Sequence, residues 1–352
     1  MEESEIIARI RFLSMIPVIK KRGEGLRIKV AVVDEMGMQF ELLPEGIHSK
    51  IAVEYGIHLF QDFSASQYIA CGNTELMLDR NHSWIVLPEH QLSDCSQIQV
   101  EISAITSQQQ GLQVLPVRSS FVHILDEDQI HELKADSRLP AQKFWNERSL
   151  AGYGPLGTIQ IKEEFGASIG SHVWDSGLVL SELLPLIVDQ GELEVTNQRV
   201  LELGCGLGLP GIIAAKLGAE VTLTDKACLL ALAEENCQRN NVDAGVAELS
   251  WGKEQHLEGW DAFDIILAAD VLYSKDILPD LLRTITSLSH HDTVILVAQK
   301  KRAASTSESN RGVIGNENFI PLINKTFHIK KLLDRANVEV VQMKQKQLHT
   351  IC

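Results

Sequence analysis

The sequence has few of the features that mark secreted or membrane proteins. Its six cysteines form no C-x-x-C pair, so we expect reduced thiols in a reducing compartment. No apolar run approaches the roughly 18 residues that are needed to cross a bilayer. The acidic start, MEESEIIARIRF, lacks the apolar stretch of a signal peptide. We therefore expect a cytoplasmic location, with the nucleus as the alternative, and no membrane partner.

The sequence also lacks an excess of basic residues. Of its 352 residues, 32 are Lys or Arg and 47 are Asp or Glu, which gives a net charge of −15. A general nucleic-acid binder needs positive charge against the phosphates, so we expect no nucleic-acid partner. The patterns H-E-x-x-H, G-x-S-x-G and G-x-x-x-x-G-K-[ST] are missing as well. His290 and His291 are adjacent in a predicted turn, and we expect no metal site there.

Hydrophobic periodicity divides the chain into two regions joined by a linker. Residues 1–125 contain short strands such as Gln97–Ile105, in which apolar and polar residues alternate, and they predict a β-rich module. Residues 126–158, which begin with a polar and charged run, are interpreted as a linker. Residues 159–352 alternate apolar strands with helices, a pattern that indicates an α/β domain with a parallel sheet buried on both faces.

The clearest motif is a glycine loop after the strand predicted at Arg199–Leu203. Glycines occupy positions 204, 206 and 208, and Glu202 stands two residues before the first of them. A loop without Cβ atoms turns tightly and lets a ligand approach its backbone at the start of a helix. The third glycine of a dinucleotide fingerprint would fall on Leu209, so the spacing departs from G-x-G-x-x-G. A glycine-rich turn without a ligand is the simpler alternative.

An acidic residue at the end of the next strand supports a bound nucleoside. Asp225 ends that predicted strand, 21 residues after Gly204. An acid at about this distance from a glycine loop binds ribose hydroxyls through its two carboxylate oxygens. Capping of the following helix is the alternative role for Asp225. Because the loop and the acid occur together, the sequence favours ribose binding.

The glycine spacing resembles the cofactor loop of class I S-adenosylmethionine (SAM) methyltransferases. Three further segments are similar to the seven-strand, methyltransferase-like group of protein-lysine methyltransferases: Gly170–Gly177 (GSHVWDSG), Leu249–Gly252 (LSWG) and Ala268–Tyr273 (AADVLY). The resemblance covers about residues 160–345. It implies a Rossmann-like seven-strand class I methyltransferase domain, preceded by a smaller β-rich N-terminal domain, with SAM as the cofactor.

The resemblance also implies roles for individual residues. Trp174 and Trp251 would line the SAM pocket, where an indole face suits the cofactor, and core packing is the alternative for both. Asp270 and Tyr273 resemble the D-x-x-Y motif at the entry for the substrate lysine, and packing is the alternative for Tyr273. The other expected cofactor contacts are Gly204, Cys205, Gly206, Asp225 and Ala269. We expect Cys205 to be a small packing residue rather than a nucleophile.

Asp270 is the residue that carries the predicted chemistry. A lysine must lose a proton before it attacks a methyl group, and we expect Asp270 to hold and orient the incoming ammonium. Enzymes that methylate adenine amino groups in DNA typically have two prolines after this position, where the chain has Val271-Leu272. The resemblance suggests a lysine on a cytosolic protein of the elongation-factor or chaperone class. Arginine, histidine or small-molecule methylation, and a non-catalytic SAM-binding module, are alternatives, and the oligomeric state stays open.

Overall fold

The chain folds into two compact units. The structure is a computed structural model that describes residues 6–12, 19–21, 24–33, 50–61, 65–77, 83–87, 97–105, 112–119, 121–130, 145–164, 168–253, 259–272, 274, 276–301, 323–324 and 326–346. The N-terminal unit comprises Met1–Leu150 and Lys162–Ala167, and the C-terminal unit comprises Ala151–Ile161 and Ser168–Cys352. Among the described residues, no helix is both long and apolar enough to cross a membrane.

The N-terminal unit is rich in strands. These are β1 (Ile6–Phe12), β2 (Ile19–Lys21), β3 (Leu26–Val33), β4 (Lys50–Gln61), β5 (Ala65–Met77), β6 (Ser83–Leu87), β7 (Gln97–Ala104), β8 (Leu112–Leu115), β9 (Val117–Ser119), β10 (Val122–Leu125), β11 (Trp145–Leu150) and β12 (Ile159–Glu164), which enters this unit at Lys162. One sheet has the order β6-β3-β1-β8. The second has the order β12-β11-β9-β7-β10-β2, with β4 paired to β5 and β7. Buried side chains of both sheets, such as Ile28 and Val100, form one core, which confirms the predicted β-rich region.

A strand lies inside the segment that the sequence predicted as a linker, 126–158. This strand, β11, pairs antiparallel with β9, and its residues Asn146, Glu147 and Arg148 are buried. The Arg148 guanidinium donates from Nε to Glu163 Oε2 at 2.7 Å. Because polar groups fill these buried positions, the segment lacks the apolar alternation by which a strand is recognised. The chain first leaves the N-terminal unit after Leu150, within the predicted linker, and it returns to that unit for Lys162–Ala167.

The C-terminal unit contains the seven-stranded sheet. Its strands are β13 (Arg199–Leu203), β14 (Glu220–Asp225), β15 (Gly245–Glu248), β16 (Phe263–Ala269), β17 (Ser289–Lys300), β18 (Phe327–Arg335) and β19 (Val338–Gln345), in the order β15-β14-β13-β16-β17-β19-β18. Its helices are α1 (Asp175–Asp189), α2 (Leu209–Lys216), α3 (Ala227–Arg239) and α4 (Leu278–Ser287). Strands joined through helices around such a sheet form a Rossmann-like α/β domain, as predicted.

One C-terminal strand, β19, departs from the parallel arrangement that the sequence predicted. β13–β17 are mutually parallel, whereas β19 pairs antiparallel with both β17 and β18. β18 and β19 are joined by Ala336 and Asn337, which have φ values of 53° and 60°. Two consecutive residues with positive φ form the tight turn that suits the twist of a hairpin. The hairpin therefore turns the chain back without a crossover helix.

Parallel pairing is what assembles the site. The residues Ile265–Ala268 of β16 are all buried, because helices cover this central strand. The carboxyl ends of β13, β14 and β16 lie at the same edge of the sheet, and the loops that leave them carry predicted site residues. This edge is where ligands bind in open α/β sheets.

Candidate active site

The glycine loop after β13 has a backbone that only glycine adopts easily. Gly204, Gly206 and Gly208 have φ values of 64°, 53° and 79°, all in the left-handed region. A Cβ on Gly206 would lie 2.8 Å from the carbonyl oxygen of Gly170. Gly170 belongs to the segment before α1, so the loop and this segment are in close contact. The predicted tight turn is present, and the approach of a ligand to its backbone stays a prediction.

Glu202 forms a hydrogen bond with the helix that follows the glycine loop. Its side chain is buried, and Oε2 accepts the N–H of Gly211 in α2 at 2.8 Å. Burial raises the pKa of the Glu202 carboxyl to about 8, so the group is mainly protonated at neutral pH. The sequence analysis singled out Glu202 because it stands two residues before the glycine loop, but it did not predict the hydrogen bond to Gly211.

Asp225 also binds the glycine loop. Its Oδ2 accepts the Gly206 N–H at 2.8 Å, and its Oδ1 accepts the Lys226 N–H at 2.7 Å. Burial raises the pKa of the carboxyl, while these hydrogen bonds act in the opposite direction. Helix α3 begins after Lys226 without a side-chain cap, so Asp225 does not cap it. Each carboxylate oxygen has a second acceptor position, and ribose binding stays a prediction.

Trp251 lies directly against the loop. A Cβ on Gly204 would be 3.1 Å from the Trp251 ring and 3.0 Å from a methyl group of Val271. Trp251 also packs against the hydrophobic core, so the packing role is observed, and lining of the SAM pocket stays a prediction. The structure thus brings the ends of β13 and β16 and the indole after β15 together around Gly204.

Trp174 stands at the start of α1, where it occupies the N-cap position. Its indole Nε1 donates to the carbonyl oxygen of Ile169 at 2.9 Å, and its ring lies 4.4 Å from that of His172. These contacts fix the indole within the segment that touches Gly206 through Gly170. Lining of the SAM pocket by Trp174 stays a prediction.

Asp270 follows the last residue of β16, Ala269, which pairs with Ala298 of β17. The φ of Asp270 is 56°, an uncommon value for a residue with a side chain. Its N–H donates to the Ala298 carbonyl oxygen at 2.9 Å, and its Oδ1 accepts Nε2 of Gln299 at 3.0 Å. Asp270 is partly exposed at the edge where the carboxyl ends of the parallel strands lie. Tyr273, the other predicted catalytic residue, lies outside the described residues.

Cys205 occupies the interior of the loop. The residue is buried, and this burial raises the pKa of its thiol well above the usual value. A neutral, enclosed thiol is a poor nucleophile. The geometry agrees with the predicted packing role.

The sequence analysis missed Gln299. This residue follows the apolar run of β17, so its only signal was a polar side chain at the end of a strand expected to be buried.

A separate group, His290, His291 and Asp292, has ligand atoms within 4.8 Å of one another at the start of the same strand. All three side chains are exposed, and they lie far along β17 from Gln299.

The residues at this edge fit a nucleoside with a sulfonium group. The loop offers backbone unscreened by Cβ atoms, Asp225 offers carboxylate acceptors, and Trp251 offers a flat apolar face. The acidic groups also suit a cofactor that carries positive charge at sulfur.

Comparison with known proteins finds lysine methyltransferases. The family model described as lysine methyltransferase matches residues 156–315. Protein N-lysine methyltransferase METTL21A of Mus musculus is 36% identical over 183 residues, which cover 50% of this chain and 77% of that protein. EEF1A lysine methyltransferase 3 of Mus musculus is 33% identical over 198 residues, which cover 54% of this chain and 79% of that protein.

The chain belongs to the lysine methyltransferase family. This confirms the predicted class, an SAM-dependent protein-lysine methyltransferase with a class I domain. The matched region contains the glycine loop, Asp225, both tryptophans and Asp270.

Proposed function

We propose that the protein transfers a methyl group from SAM to a lysine side chain of a cytosolic protein of the elongation-factor or chaperone class. The position of Asp270 carries the proposal, because this acid stands one residue before Val271, which touches the glycine loop. A substrate lysine held by Asp270 would therefore lie next to a cofactor bound by the glycine loop.

Two observations support the class of substrate. A relative that is 33% identical is named for lysine methylation of EEF1A, and this favours an elongation factor. The net charge of −15 favours a basic protein partner, since charge complementarity speeds encounter and suppresses wrong partners. The chaperone class remains as the second candidate from the family resemblance.

The residues of the site divide the work of binding and alignment. When bound, SAM supplies an electrophilic methyl group. Gly204, Gly206 and Asp225 would hold the cofactor, and Trp251 covers the loop. Asp270 attracts the lysine ammonium, aligns the amine and stabilises it until a proton is released to water. An amine has a lone pair for attack only after this loss, so methyl transfer requires both alignment and proton release.

Substitution of Asp270 by asparagine tests this role. Asp270→Asn keeps the shape of the side chain but removes its charge, so we expect the rate of methyl transfer to fall about 100-fold while the affinity for S-adenosylhomocysteine stays within threefold. Asp276→Asn is the matched control, because Asp276 is an exposed acid in the same connection. Rates are measured with radiolabelled SAM and a dialysed cell extract as the methyl acceptor.

The same assay separates the alternatives. Mass spectrometry of the labelled product shows whether lysine, arginine, histidine or a small molecule carries the methyl group, and the labelled band identifies the substrate protein. A wild-type rate for Asp270→Asn would refute the assigned role. Binding of SAM without any transfer would indicate a non-catalytic module.

A further inference from the structure

Gln299 is a buried amide at the end of an apolar strand. It follows Ile295–Ala298, which are all buried, and is itself only 6% exposed. Both the carbonyl and the NH₂ group of a buried amide need hydrogen-bond partners, since an unsatisfied one costs free energy. Both groups of Gln299 find partners in the connection that leaves β16.

The amide of Gln299 bridges two points of this connection. Its Nε2 donates to Asp270 Oδ1 at 3.0 Å, and its Oε1 accepts the N–H of Leu272 at 3.1 Å. A backbone N–H can only donate, so Leu272 fixes the oxygen of the amide on its own side and directs the NH₂ group to Asp270.

The connection is held in an uncommon conformation. Asp270 has a left-handed φ of 56°, and its N–H donates to the carbonyl oxygen of Ala298. Three hydrogen bonds therefore join Asp270 and Leu272 to the end of β17. Strained backbone persists where its surroundings fix it, and such positions concentrate at functional sites.

We propose that Gln299 is a positioning residue for methyl transfer, which holds the Asp270 carboxylate in the orientation that receives the substrate lysine. The inference rests on the proposed function of Asp270. The Gln299 NH₂ group, which donates to Oδ1, restricts rotation of the Asp270 carboxylate. The Gln299 amide oxygen, which accepts the Leu272 N–H, fixes the backbone that carries this carboxylate. A site held to within a fraction of an ångström is what efficient alignment requires.

Only an amide supplies a donor and an acceptor at these two positions. Glutamate has the same shape and keeps an acceptor for Leu272, but it places a second carboxylate against Asp270. Methionine has a similar length and supplies neither strong hydrogen bond. The two replacements therefore separate loss of the donor from loss of the whole bridge.

The test compares Gln299→Glu and Gln299→Met with Gln342→Glu, a matched control on β19 of the same sheet. The maximal labelling rate and the half-saturating extract concentration are measured with radiolabelled SAM and dialysed cell extract. Binding of S-adenosylhomocysteine is measured by calorimetry. We expect both Gln299 variants to lower the maximal rate at least tenfold with the dissociation constant within threefold, and the control to match wild type. Wild-type rates in both Gln299 variants, or a parallel loss of rate and cofactor affinity, would overturn the proposal.

An exchange of the two side chains gives a second test, in which the double variant is compared with each single variant. In Asp270→Asn/Gln299→Glu, the new amide can donate to the new carboxylate, so we expect the melting temperature to recover relative to Gln299→Glu. The rate should equal that of Asp270→Asn alone, because orientation matters only when residue 270 carries the charge. A further multiplicative loss of rate would show that Gln299 acts independently of Asp270.

The two levels of the proposal fail in different ways. A wild-type rate for Asp270→Asn removes the role of Asp270 and the inference on Gln299 with it. A slow Asp270→Asn variant beside wild-type Gln299 variants removes the inference on Gln299 alone.

Discussion

Replacement of Glu202 by glutamine should change how the stability of the protein depends on pH. Burial raises the pKa of this carboxyl from 4.5 to about 8 in the folded protein. Between these values the folded state holds a proton that the unfolded state releases. The free energy of unfolding therefore falls as pH rises, by at most about 1.4 kcal/mol per pH unit. The contribution is complete below about pH 4.5 and is lost above about pH 8.

The size of the effect follows from the two pKa values. From pH 5 to pH 8, wild-type protein should lose about 3 kcal/mol of stability through this one group. Glutamine does not titrate, and its carbonyl oxygen can accept the Gly211 N–H as Oε2 of Glu202 does. The Glu202→Gln variant should therefore lack this part of the pH dependence. Between pH 5 and pH 8, it should lose less unfolding free energy than wild type does.

Urea unfolding followed by tryptophan fluorescence at several pH values measures both slopes. Glu192→Gln is the control, because Glu192 is exposed in the same unit. The difference between wild type and Glu202→Gln isolates the one carboxyl from all other titrations. Parallel curves for the two proteins across pH 5–8 would refute the reasoning that Glu202 is protonated in the folded state.

Two further substitutions test the loop and the N-terminal unit. Gly206→Ala combines a left-handed φ with a Cβ 2.8 Å from the Gly170 carbonyl oxygen, so affinity for S-adenosylhomocysteine should fall at least about tenfold in calorimetry. Gly191→Ala has a similar φ and no atom near the added Cβ, and unchanged affinity is expected there. Arg148→Met removes the buried guanidinium that donates to Glu163 and should cost about 3 kcal/mol in urea unfolding. Arg148→Met/Glu163→Leu should recover most of this loss, and a double variant as unstable as the single one would contradict the prediction.

The parts of the fold that the sequence predicted are those governed by local patterns. Apolar runs such as Ile265–Ala268 predicted buried strands, and alternate glycines predicted a tight turn at the end of β13. Both signals arise within a few residues of chain. The loop and Asp225 could be joined from sequence alone because parallel strands bring their carboxyl ends to one edge.

The features that were missed depend on tertiary contacts. β11 was hidden because Arg148 and its neighbours are polar and buried, and their partners come from distant segments. The contact of Gln299 with Asp270 joins residues 29 positions apart on neighbouring strands. No periodicity encodes which side chain a buried amide will meet. For the same reason, the sequence pointed to Glu202 but did not predict its hydrogen bond with the Gly211 N–H.

The burial of Cys205 has a consequence for the chemical resistance of the enzyme. Oxidants and alkylating reagents attack thiolates, and a thiol kept neutral inside the cofactor loop is protected from them. Of the four cysteines in the described part of the chain, only Cys228 is exposed, and it stands in the first turn of α3, three residues after Asp225. A thiol-reactive dye on Cys228 would therefore be attached three residues from the Asp225 carboxylate, which makes this cysteine a natural attachment point for an optical reporter near the glycine loop.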